Sequence, residues 1–135
     1  MAGRVKDYMA PKSEVVSPDD SVESAIELMV ENDAGSVIVQ DDNQKVIGIF
    51  TERDLLRHCL ENQSKFLYLK VSEVMTSPAI TISKESKVVD ALQIMNERNI
   101  RRIPVVDRNG RLEGILSWKE LFTHLFPKLS MTEDK

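Results

Sequence analysis

Apolar residues recur along this chain at two spacings, and each spacing predicts a different element. Val22, Ala25, Ile26, Met29 and Val30 fall three and four residues apart, the stripe of a helix with one buried face. Val88, Ala91, Leu92 and Met95 draw the same stripe in the second half. Short apolar runs at 36–40 and 45–50, separated by Asp41-Asp42-Asn43-Gln44, predict two adjacent strands. Runs at 103–106 and 112–116 flank Asp107-Arg108-Asn109-Gly110, where Asn-Gly signals a hairpin turn. Closing helices are predicted over 52–62 and 118–125, short opening helices over 5–9 and 71–75, and short strands over 14–17 and 79–83. Asp20 with Glu23 predicts a capping box at the first long helix, and Ser86 occupies the corresponding cap of the second.

The two halves register without a gap at an offset of about 66 residues. Met9 falls on Met75, Ala25 on Ala91, Asp41 on Asp107, Gly48 on Gly114, Ile49 on Ile115 and Leu55 on Leu121. The sequence therefore divides into a first unit at 5–62, a linker at 63–70, a second unit at 71–126 and a polar, frayed tail at 127–135. Each unit reads β-α-β-β-α, an α/β chain of the α+β type. Units of about 60 residues bury little surface alone, so two of them gain most by packing on each other.

Composition narrows the picture. The chain has 135 residues, 41% hydrophobic and 30% charged, with a net charge of −4. That balance argues against a duplex nucleic-acid binder, which needs a basic face. The apolar runs are too short to span a bilayer, so no membrane association is expected. Met1-Ala2-Gly3-Arg4 carries no apolar signal segment, and the single Cys59 excludes an internal disulfide. A soluble, cytoplasmic location is expected. His58 and His124 share a repeat position but lack the companions of a metal site, so no metal is expected and a solvated helix face is the better reading. Cys59 continues an apolar stripe, and Trp118 at a helix start suits either a subunit contact or the flank of a ligand.

Each half repeats one local pattern, a glycine, two apolar residues, a hydroxyl residue, and an acid three positions on. The copies are Gly48-Ile49-Phe50-Thr51-Glu52-Arg53-Asp54 and Gly114-Ile115-Leu116-Ser117-Trp118-Lys119-Glu120. At a strand-to-helix junction this spacing makes a helix cap. The same junction delivers free N–H groups and a carboxylate to the edge of a cleft, where the acid can accept both hydroxyls of a ribose. The readings are compatible, since a side chain can cap a helix and still meet a ligand.

With Val71-Ser72-Glu73-Val74-Met75-Thr76 and Ile100-Arg101-Arg102-Ile103-Pro104-Val105-Val106-Asp107, these motifs resemble a tandem pair of cystathionine-β-synthase (CBS) domains, a Bateman module. The resemblance covers about residues 5–126. It implies two units packed sheet to sheet with approximate twofold symmetry, and two clefts. It also implies a regulatory function without catalysis. The ligand would be AMP, ADP or ATP, with NAD(P)H or S-adenosylmethionine as alternatives, and no cofactor would be required. Asp54 would bind the ribose with Thr51 beside it. Gly35 and Ser36 would admit adenine to the backbone, and Val16 would pack on the ring. Arg101, Arg102 and Lys119 would hold phosphates, unless the arginines are solvated surface. Ser117 and Glu120 mark the second cleft, where the longer acid displaces the carboxylate. A homodimer formed through the helices is expected, and the chain would act on a separate protein. The rival reading is a structural dimerisation module whose clefts are empty and whose motif pairs serve only as caps.

Overall fold

The computed structural model describes residues 3–11 and 14–126. In chain order the elements are β1 (Ala10–Pro11), β2 (Val15–Val16), α1 (Val22–Glu31), β3 (Ser36–Gln40), β4 (Val46–Thr51), α2 (Glu52–Asn62), β5 (Ile82–Ser83), α3 (Val88–Arg98), β6 (Arg102–Val106), β7 (Leu112–Ser117) and α4 (Trp118–Leu125). Single turns or short stretches of 3-10 helix cover Val5–Asp7, Gln63–Tyr68 and Val71–Glu73. None of the described helices is long and apolar enough to cross a membrane. The tail reading at 127–135 lies outside the described residues.

The chain forms two compact units whose membership is not sequential. One contains residues 14–79, and the other combines 3–11 with 80–126. In the first, the sheet order is β2-β3-β4, with β2 parallel and β4 antiparallel to the central β3. In the second, the order is β1-β7-β6-β5, with β5 parallel to β6 and β1 antiparallel to β7.

Each sheet buries one face against its helices. Val22, Ala25 and Met29 of α1 meet Val37, Val39 and Phe50, and Phe66, Val71 and Val74 complete that core. Val88, Ala91 and Met95 of α3 meet Ile103, Val105 and Leu116, completed by Val5 and Leu121. The segment read as a linker thus contributes Phe66, which is buried, to the core of the unit it follows. Short edge pairings fix the exchanged segments. Ala10 pairs with Ile115 and Pro11 with Gly114, while Thr76 bridges Ile49 in the other unit. These approaches require glycine. A Cβ on Gly48 would lie 2.9 Å from the Thr76 carbonyl oxygen, and one on Gly114 would lie 2.5 Å from that of Ala10.

Two predicted caps are corrected. Helix α1 is capped by Ser21, whose hydroxyl accepts from the Ser24 amide at 3.1 Å. Asp20 instead accepts from the Ser17 amide at 2.9 Å, one turn earlier. At α3 the cap position is Lys87, not Ser86, and no side chain caps it. The Val88 amide donates to the Gly3 carbonyl at 3.1 Å, so backbone from the opening segment supplies the acceptor a side chain was expected to provide.

Candidate functional site

The repeated motif places one junction in each unit. In the unit of residues 14–79, Ser36 stands opposite Thr51, so the start of β3 lies beside the start of α2. Thr51 is the cap of α2, and Asp54 completes a reciprocal capping box. The Thr51 hydroxyl accepts from the Asp54 amide at 3.2 Å. The Thr51 amide and hydroxyl donate to Asp54 Oδ2 at 2.9 and 3.1 Å. The Thr76 hydroxyl donates to Asp54 Oδ1 at 2.8 Å. Asp54 is only 2% exposed, one of two polar residues buried to that degree among those described. Such burial is sustained because both carboxylate oxygens have donors.

The other is Ser36, whose hydroxyl has no hydrogen-bond partner among the described residues. A hydroxyl buried in that way is costly unless something else bonds to it. Gly35 lies under the Glu52 side chain, and its carbonyl accepts from the Glu52 amide at 3.1 Å. Val16 is buried in the apolar cluster with Val22 and Val37, so its side chain is committed to the core. Thr51, Asp54, Gly35 and Ser36 therefore gather at one junction, and Val16 lies among core residues.

In the unit of 3–11 with 80–126, Arg102 stands opposite Ser117 and the Arg101 carbonyl accepts from the Trp118 amide at 2.8 Å. Ser117 caps α4, accepting from the Glu120 amide at 3.2 Å. Arg101, Lys119 and Glu120 are exposed, and Arg102 is half-buried. Three cationic residues thus flank this junction in the chain, with the Ser117 hydroxyl and the start of α4 beside them, a composition suited to an anionic group. Glu120 makes no return bond of the kind Asp54 makes.

Among the described residues, no three histidines, cysteines or acids are placed to hold a metal ion. His58 faces Glu61 at 3.8 Å, and the exposed His124 meets the Tyr8 ring edge-on at 5.6 Å. Cys59, on α2, packs against the core of its unit. Trp118 stacks obliquely on Phe122, which meets Phe126 in turn. A groove of about 220 Å³ between α1 and α2 is lined by Ile26, Met29, Val30, Glu52 and Leu55, and none of the predicted ligand residues lines it. Sequence reasoning missed Thr76. Its signal was its place at the end of the motif Val71-Ser72-Glu73-Val74-Met75-Thr76, at the position Ala10 occupies in the first half.

Known proteins share this architecture. The sequence profile of the CBS domain matches residues 5–61 and 71–126. An uncharacterised 17.7 kDa protein of Acidianus ambivalens is 32% identical over 121 residues, covering 90% of this chain and 72% of that protein. The chain spans only 20% to 52% of the length of other curated relatives it matches. Among solved structures, CBSX2 in complex with AMP is 31% identical, with a TM-score of 0.80 over 98% of both chains. The CBS domain pair of protein MJ0100, in complex with 5′-methylthioadenosine and S-adenosyl-L-methionine, is 25% identical, with a TM-score of 0.82 over 95% of this chain and 98% of that one. With both repeats matched and the whole fold reproduced, this chain belongs to the CBS domain family and carries a tandem pair of its units.

Proposed function

We propose that this chain is a regulatory module that binds an adenosine-containing ligand and transmits the change to a separate protein. The observation that carries the reading is the strand-to-helix junction repeated in both units, with a hydroxyl and an acid at each helix start. Asp54 and Thr51 are assigned to the ribose and Ser36 to the base. At the junction of the other unit, Arg101, Arg102 and Lys119 are assigned to the phosphate of a ligand bound there. AMP, ADP or ATP is the preferred ligand, since three cations suit an anionic group, and S-adenosylmethionine and NAD(P)H are the alternatives. The complexes of CBSX2 with AMP and of the MJ0100 pair with S-adenosyl-L-methionine support this class. We read the module as binding rather than catalytic, because each motif hydroxyl is occupied in capping a helix. Its single Cys59 suits a reducing cytoplasm.

We assign a homodimer to the helical surface. Leu56 and Leu60 on α2 are 73% and 76% exposed. The repeat places Phe122 and the exposed Phe126 at their positions in the second half. Exposure of apolar side chains at Leu60 and at its repeat position Phe126 supports this assignment.

A thermal-shift screen against adenine nucleotides, NAD(P)H and S-adenosylmethionine tests the ligand. At 100 times the dissociation constant, binding adds about 2.7 kcal/mol to stability. Sedimentation of the same samples tests the dimer. No shift with any of these ligands would favour the structural rival, and a monomer at high micromolar concentration would exclude the dimer.

A further inference from the structure

Among the described residues, Asp54 is a buried acid whose only non-local donor is an exposed hydroxyl. Two of the donors to Asp54 come from Thr51, at the start of its own helix. The third, the Thr76 hydroxyl, arrives from 22 residues away and occupies Oδ1 at 2.8 Å. Thr76 is itself exposed. Backbone pairing holds it there. The Thr76 amide donates to the Ile49 carbonyl at 2.8 Å, and the Ile49 amide donates to the Thr76 carbonyl at 3.0 Å. The Ser77 hydroxyl donates to the Ile47 carbonyl at 2.8 Å. Gly48 makes the approach feasible, since a Cβ there would collide with the Met75 sulfur at 2.6 Å.

A carboxylate binds a cis-diol by accepting from both hydroxyls, and those acceptor sites must be within reach. On Asp54, Oδ2 already has two donors, and the Thr76 hydroxyl takes one of the two acceptor positions of Oδ1. We propose that Thr76 sets the affinity of this site for cis-diol ligands, because its hydroxyl holds the Asp54 acceptor that a ribose hydroxyl takes. A ribose then binds by displacing the Thr76 hydroxyl from Oδ1, which ties occupancy of the site to the segment Met75–Ser77. The proposal rests on the reading of Asp54 as the ribose acceptor. The repeat supplies the contrast. The position equivalent to Thr76 is Ala10, which has no hydroxyl, and the acid of that unit, Glu120, is exposed.

The test is titration calorimetry of the full chain with AMP and with 2′,3′-dideoxyadenosine 5′-monophosphate, using wild type, Thr76→Val and Thr76→Ser. Wild type is expected to prefer AMP. Thr76→Val removes the competing donor at similar volume and is expected to bind AMP about 10-fold tighter or more, with its affinity for the dideoxy ligand unchanged. Thr76→Ser keeps the hydroxyl and is expected to restore wild-type affinity. If wild type prefers AMP but Thr76→Val gains nothing or weakens, Thr76 does not control the site and this proposal alone falls. If wild type binds both ligands equally, the ribose role of Asp54 falls and the proposal falls with it.

Discussion

The two helix starts descend from one motif and have reached opposite solutions. At α2, Asp54 is buried, returns a bond to the Thr51 amide and receives a third donor from Thr76. At α4, Glu120 is exposed and returns no bond, although Ser117 caps the helix just as Thr51 does. One methylene separates the two acids. Length alone does not decide the outcome, since Glu73 at the same helical position closes a box on the Lys70 amide at 2.8 Å. What distinguishes Asp54 is burial and the extra donor from Thr76, whereas Glu120 stays in solvent. The same repeat position therefore holds a pre-positioned but covered acid in one unit and an accessible but untethered one in the other. A local motif specifies the cap, and the neighbouring segment specifies what the acid is free to do.

The sharpest way to break this comparison is to remove each acid and measure stability by chemical denaturation without ligand. Asp54→Ala loses its half of a capping box and three donors to a buried charge, so it is expected to cost about 2–3 kcal/mol. Glu120→Ala loses an exposed charge in the first turn and is expected to cost less than about 1 kcal/mol. Equal costs would show that the two acids do the same structural work.

A smaller effect is expected in the hairpins between β3 and β4 and between β6 and β7. The repeat places Gln44 where the second half has Gly110, and both have positive φ, 66° and 82°. Glutamine is strained there and glycine is not. Gln44→Gly is expected to stabilise by about 0.5–1 kcal/mol, the relief of strain exceeding the added freedom of the unfolded chain. Gly110→Gln is expected to cost about 1 kcal/mol through the backbone alone, since a Cβ there meets nothing within 4 Å. If exchanging the residues leaves both denaturation midpoints unchanged, the positive φ does not strain glutamine at either turn.

The smallest effect is a dependence on acidity at the second hairpin. The Arg111 amide holds the Asp107 carboxyl below its ordinary value, against a desolvation that raises it, aided by the Asn109 amide and the charges of Arg111 and Arg108. A depressed folded value means that stabilisation is complete above the ordinary carboxylate range and fades as pH falls through the lowered value. Asp107→Asn is therefore expected to flatten the acid limb of the stability profile and leave its neutral region nearly parallel. An acid limb identical to wild type would refute this.

Much of the molecule was legible in the chain itself. The 3–4 spacing of Val22, Ala25 and Met29 and of Val88, Ala91 and Met95 encoded the helices. The bounds of β3, α2 and α4 match their predicted ranges, because periodicity and local turn chemistry act over a few residues. The spacing of Thr51 and Asp54 likewise announced a cap. Some of the architecture was illegible because its partners are distant. A single 3-10 turn at Val5–Asp7 has no period to reveal that it completes a core with Leu121, and nothing near Ser86 shows that Gly3 will satisfy the start of α3. Phe66 reads as linker until α1 lies beside it. Above all, the local pattern puts a carboxylate at position 54, whereas the Thr76 hydroxyl reaches it only once Met75–Ser77 pairs along β4. Short-range propensity thus determined which elements form, and tertiary pairing decided which polar groups those elements leave available.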